Sequence, residues 1–230
     1  LQKIGLWIKE NAGMNLTLVF DPYDRALFLK GVLYSLVLTG GCIALSMALG
    51  AAGALVAESR FTRLGTTVRG VAVWGRMTPP LLWMYLLFFG VGAWLWTAAG
   101  VRLSPFWVAL WCMSFYTAAS VMNTVLESAM HIRNDRPGFQ LSYANFRSVV
   151  EFSAGPVKAA LINVVKQSVM ASAIAVPELI SATTAIMSDQ GNVGVMMNAF
   201  LISFLLLISL WMRLIDWVES RLRVKQGEAE

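Results

Sequence analysis

Long apolar stretches separated by short polar ones dominate this chain. A membrane helix needs about 20 mostly apolar residues. The first run that qualifies extends from Ala26 to Ala57. The second extends from Val71 to Ala99 and contains the Pro79-Pro80 pair, and the third from Ser104 to Met130. A polar connection follows from His131 to about Pro156. The fourth run, Val157 to Met187, is the least apolar and holds Lys158, Asn163, Lys166, Gln167 and Glu178. The fifth extends from Val193 to Trp217. The pattern predicts an all-α, polytopic membrane protein with about five transmembrane helices.

Composition narrows the reading. Only 13% of residues are charged and 57% are hydrophobic, whereas soluble domains average about 25% charged residues. Too little charge is present to coat a soluble surface. The net charge of +5 would suit nucleic acid only if Lys and Arg clustered on one polar face. They flank the apolar runs instead, so no nucleic-acid partner is expected and membrane lipid is. Cys42 and Cys112 sit inside apolar runs and do not make a zinc spacing. The lone His131 reads as a solvated helix-end residue.

The flanking charges set an orientation. Basic residues in short connections mark the cytoplasmic side. The first connection carries Arg60, Arg63, Arg69 and Arg76, and the third carries Arg133, Arg136, Arg147 and Lys158. The second has only Arg102, and the fourth, Ser188 to Asn192, has none. The tail carries Arg213, Arg221, Arg223 and Lys225. The C-terminus is therefore expected in the cytoplasm and the N-terminus outside, against Lys3, Lys9, Arg25 and Lys30, which argue weakly the other way. Residues 1–25 read as a periplasmic or interfacial segment, in which IGLWIKENAGMNLTLVF has the character of a helix lying in the interface. Residues 26–217 form the transmembrane domain and 218–230 a cytoplasmic tail.

No catalytic constellation and no glycine-rich phosphate loop is present, so the chain reads as non-catalytic. Scattered Ser and Thr fit helix packing. Polar groups at membrane depth are more telling, because charge there needs a partner or water. Lys166, Gln167, Ser168 and Glu178 are candidates to line a pathway, or to form a polar patch against a partner. On one straight helix Lys166 and Glu178 would lie about 18 Å apart. Thr78, before Pro79-Pro80, marks either a plain kink or a pore-lining hinge. In the third connection, LSYANFRSVVEF predicts a short amphipathic helix with Leu141, Phe146, Val149 and Val150 on its apolar side, suited to docking a cytoplasmic partner.

These residues also carry a resemblance. Arg76-Met77-Thr78-Pro79-Pro80-Leu81-Leu82, followed by Phe88-Phe89-Gly90, resembles the R-G-T-P-L-L … Y-F-G stretch of the permease subunits of bacterial polar amino acid ABC importers. Lys166-Gln167-Ser168-Val169-Met170 resembles that family's K-D-T-S-L, and SAIAVPEL from Ser172 to Leu179 its S-x-I-x-V-x-E-L. The segment from Asp216 to Leu222 resembles its L-E-R-R-L ending. The resemblance implies a type I importer permease fold in the bacterial inner membrane. It implies a second permease subunit, two cytoplasmic ATPase subunits that bind ATP and Mg, and a periplasmic substrate-binding protein. This chain itself would hold no cofactor and no metal.

The chain departs from the family pattern. The E-A-A-x-x-x-G motif of the ATPase-coupling helix is missing, and the loop from Ile132 to Lys166 is shorter than the resemblance implies. The closest match to a coupling segment is Ser142 to Val150, with Ser142, Tyr143, Ala144, Asn145, Phe146 and Arg147 as the candidate ATPase-coupling residues. Asn123, Leu126 and Val73 stand where the family carries charge. The expectation is half of a translocation pathway, with Thr78, Asn123, Lys166, Gln167, Ser168 and Glu178 along it, in a divergent member of a heterodimer. The alternative is a non-transporting scaffold or regulatory subunit of an ABC-type complex, which the missing motif favours.

Overall fold

A computed structural model describes residues 17–59 and 62–227. Residues 1–16, most of the expected interfacial segment, lie outside the described residues, as do Arg60, Phe61 and the last three positions of the tail. Everything in regular structure among the described residues is helical. Five helical stretches are long and apolar enough to cross a membrane: Pro22–Ala57, Pro80–Ala99, Pro105–Asp135, Ala154–Ile174 and Val193–Arg221. The expected all-α polytopic architecture is the observed one.

After a single helical turn, Thr17–Phe20, helix α1 spans Pro22–Ala57. Its start is set by local chemistry. Asp21 accepts a hydrogen bond from the Tyr23 amide at 2.9 Å, and Pro22 occupies the first turn, where a missing N–H costs nothing. Its 36 residues amount to about 54 Å, well beyond a bilayer core of about 30 Å.

Helix α2 covers Thr62–Met77. The expected second span began at Val71, but the chain breaks after Met77 and helix α3, Pro80–Ala99, supplies the crossing. The apolar run VAVW belongs to α2 and only mimics the start of a span. Two consecutive prolines explain the break: neither donates an N–H, and Pro80 holds Pro79 extended, at ψ 137°. Thr78-Pro79-Pro80 is thus a boundary between helices rather than a kink within one. Helix α3 contains one π-helical stretch, Leu86–Val91, and ends at Gly100, whose φ of 67° suits a glycine cap.

Helix α4, Pro105–Asp135, is the centre of the bundle. It runs one turn past the expected end at Met130, so exposed His131 is helical. Close approach to α1 is built on small residues. A Cβ on Gly50 would sit 2.7 Å from Val121, and one on Gly31 would sit 2.7 Å from the Ala182 Cβ. The apolar core places Leu38 and Cys42 of α1 with Ala109 and Met113 of α4 and Met84 of α3.

The short helix expected in the third connection is present as α5, Phe146–Phe152. The fourth run is not one helix. Helix α6, Ala154–Gln167, tightens into a 3-10 segment, Ser168–Ile174. The chain then turns through Ala175, whose φ of 62° is left-handed. Helix α7, Leu179–Gln190, starts afresh. The straight-helix spacing of Lys166 and Glu178 therefore does not apply. Pro177 and the left-handed Ala175 both oppose helix continuation. Helix α8, Val193–Gly227, reaches past the expected Trp217.

Candidate translocation face

Helices α4 and α6 cross the bundle side by side and present polar groups to a shared cleft of about 290 Å³. Tyr116, Thr117 and Ser120 line it from α4, and Pro156, Ala159, Ala160, Asn163 and Gln167 from α6. Tyr116, Ser120 and Asn123 follow i, i+4, i+7 spacing, so they form one stripe on α4. Glu127 continues that stripe and is exposed. Asn163 and Gln167 are likewise one turn apart on α6. Asn163 and Lys166 are exposed, whereas Gln167 and Asn123 are half-buried. Among the described residues Lys166 makes no ion pair. It lies inside the fourth membrane-crossing stretch.

The residues singled out from sequence divide by location. Gln167 lines the cleft, Asn123 extends its α4 stripe, and Lys166 is its neighbour on α6. Ser168 points inward: it is 1% exposed and donates to the Val165 carbonyl at 2.8 Å. Glu178 is also 1% exposed. Its carboxylate caps α7, accepting from the amides of Ile180 at 3.0 Å and Ser181 at 3.2 Å. Thr78 lies at the break between α2 and α3 and donates to the Trp74 carbonyl at 3.2 Å. Neither Ser168, Glu178 nor Thr78 is among the residues lining the cleft. Tyr116 and Ser120 were not anticipated. Their signal in the sequence is the i, i+4, i+7 spacing with Asn123.

The expected coupling segment has an exposed crest and an apolar underside. Tyr143 is 89% exposed, and Ser142, Ala144 and Arg147 are exposed beside it. Asn145 organises the turn: its Oδ1 accepts from the Ser142 amide at 2.7 Å, and its Nδ2 donates to the Gln140 carbonyl at 2.7 Å. Beneath, Leu141 and Val149 are buried with Phe146 packed against them. Val150, expected on the same apolar side, is half-buried and lines a separate apolar groove with Trp211 of α8.

Polar contacts help tie α8 to the bundle. Lys158 of α6 pairs with Asp216. The Trp211 indole donates to Thr39 of α1 at 2.8 Å.

No protein-family model and no curated protein sequence matches the chain. One solved structure does, described as the crystal structure of an amino acid ABC transporter with histidines. The two superpose with a TM-score of 0.69 at 16% identity, over 89% of this chain and 97% of the other. This chain shares that transporter chain's fold. At so low an identity the agreement concerns the path of the backbone and not the side chains.

Proposed function

We propose that this chain is the membrane-spanning permease subunit of an ATP-driven, binding-protein-dependent importer, forming half of a translocation pathway for amino acids. One observation carries the reading: on a backbone shared with an amino acid ABC transporter chain, polar residues of α4 and α6 face outward at membrane depth. A lysine exposed to hydrocarbon costs about 2.5–3.5 kcal/mol even on insertion-based scales. An aqueous pathway, or the matching face of a second permease subunit, removes that cost.

In this reading the basic ends of the spans lie in the cytoplasm of a bacterial inner membrane. Two partner ATPases bind ATP and Mg and press on the segment from Ser142 to Val150. A periplasmic binding protein delivers the solute from the other side. ATP binding closes the ATPases and opens the pathway outward, and hydrolysis returns it inward. Tyr116, Ser120, Asn123, Asn163, Lys166 and Gln167 offer hydrogen bonds and charge to the zwitterionic solute as it passes. No bond in the solute is broken. The charge missing at Asn123, Leu126 and Val73 fits a heterodimer whose other permease holds most substrate-reading groups.

The test is purification with the products of neighbouring genes, followed by ATP-driven uptake of labelled amino acids into proteoliposomes. Uptake that requires both ATP and this chain supports the proposal. A chain that co-purifies with an ATPase yet leaves uptake unchanged when omitted would instead be a regulatory subunit.

A further inference from the structure

A charged cluster joins two stretches that lie far apart in sequence. Glu58 ends α1, and its carboxylate sits between two guanidinium groups. Arg69 Nη2 of α2 meets Oε1 at 2.5 Å, and Arg133 Nη2 of α4 meets Oε2. Each arginine also holds backbone. Arg69 donates to the Ala57 carbonyl at 3.1 Å, closing the end of α1. Arg133 Nε donates to the Phe139 carbonyl at 3.0 Å, inside the loop that leads to α5. Glu58 is mostly covered, at 15% side-chain exposure, while the arginines are 50% and 40% exposed.

Below the charges lies a separate apolar core. Ala54 of α1, Ala72 of α2 and Ala129 of α4 meet Leu141 and Val149 of the coupling segment there. Apolar contacts of this kind are non-directional and by themselves specify no hydrogen-bonded register. The charge-assisted, two-armed contact is directional and fixes where the loop sits relative to α1 and α2.

We propose that Glu58 is a positioning residue that locks the coupling segment to the α1–α2 turn, so that a push on the segment moves both helices together. The idea rests on the permease reading for its functional consequence, but the lock itself is a property of this chain alone.

The experiment has two arms. In the first, spin labels replace Leu64 on α2 and Tyr143 on the segment, both exposed, in the full chain in lipid nanodiscs. Distances are read by pulsed electron resonance. The lock predicts one narrow distance in the parent, a broad or shifted distribution with Glu58→Gln, and recovery with Glu58→Asp. An unchanged distribution with Glu58→Gln overturns the proposal whether or not the chain is a permease. In the second arm, the assembled complex is assayed for solute moved per ATP hydrolysed. Glu58→Gln is expected to lower that ratio about fivefold or more while ATP hydrolysis continues. If the parent complex transports nothing, the permease reading fails and the first arm still judges the lock. If the parent transports and the variant keeps the full ratio, the transmitting role is refuted.

Discussion

Ser35 and Glu178, 143 residues apart, hold the start of α7 against α1. The Ser35 hydroxyl lies 3.5 Å from Glu178 Oε2, and its oxygen accepts from the Leu179 amide at 3.0 Å. Both residues are about 1% exposed, and Gly31, one turn earlier, lets the helices approach. This polar knot satisfies the amides that a helix start leaves free. Glu178→Ala should therefore destabilise the chain by about 1–2 kcal/mol, the worth of a helix cap. Thermal unfolding in nanodiscs would measure it. A transport defect in that variant should follow the loss of folded protein and not a change in apparent solute affinity.

Gly50 tests the packing of α1 on α4. Gly50→Ala places a methyl 2.7 Å from the Val121 Cβ and 2.9 Å from the Ala118 carbonyl oxygen, so the helix backbones must part. The expected loss is roughly 1–3 kcal/mol. Val121→Ala in the same chain should return little of it, because alanine keeps the Cβ at 2.7 Å and the Ala118 carbonyl oxygen stays 2.9 Å away, which a double-mutant cycle on unfolding would reveal.

The Lys158–Asp216 pair should matter little to stability. Its side chains are 29% and 52% exposed, so solvent and salt screen it, and coupling in a double-mutant cycle should lie within about 1 kcal/mol. Trp211→Phe, which removes the donor to Thr39, should cost about as much, near 1 kcal/mol. Chemical denaturation of the four variants at low and high salt separates the two, since only the ion pair should respond.

Replacing Asn163 or Gln167 by leucine should leave unfolding nearly unchanged, because both already sit on an accessible face. Uptake should fall several-fold for each, the worth of about 1 kcal/mol per hydrogen bond lost to a polar solute. Ser168→Ala should spare uptake, since its hydroxyl only returns to the Val165 carbonyl.

The span count and class were legible because greasy length is a one-dimensional property: Ala26–Ala57 and Ser104–Met130 differ from observed α1 and α4 only at their ends. The break within the fourth run was harder to read. SVMASAIAV is as apolar as the helix before it, and the left-handed residue is Ala175, not a glycine or asparagine that would announce it. The π-helical stretch at Leu86–Val91 likewise left no compositional mark. For the face itself, polarity picked out Gln167, Lys166 and Ser168 together. Only the packing of α6 decides that Gln167 lines the cleft while Ser168 turns inward. Tyr116 and Ser120 became meaningful once Asn163 stood opposite them. The Glu58 cluster was invisible for a related reason, since its three members lie 11 and 75 residues apart.

The most direct test of the central claim asks whether the α4–α6 face meets water. Cysteine is placed at Ser120, at Asn163 and, as a lipid-facing control, at Leu205, which is 62% exposed on α8. The assembled complex is then treated with a membrane-impermeant, charged thiol reagent. A translocation pathway predicts that the first two positions are labelled, that added solute slows the labelling, and that labelling stops ATP-driven uptake, while the cysteine at position 205 stays unmodified. Unlabelled cysteines at 120 and 163, or labelling that leaves uptake intact, would contradict the claim.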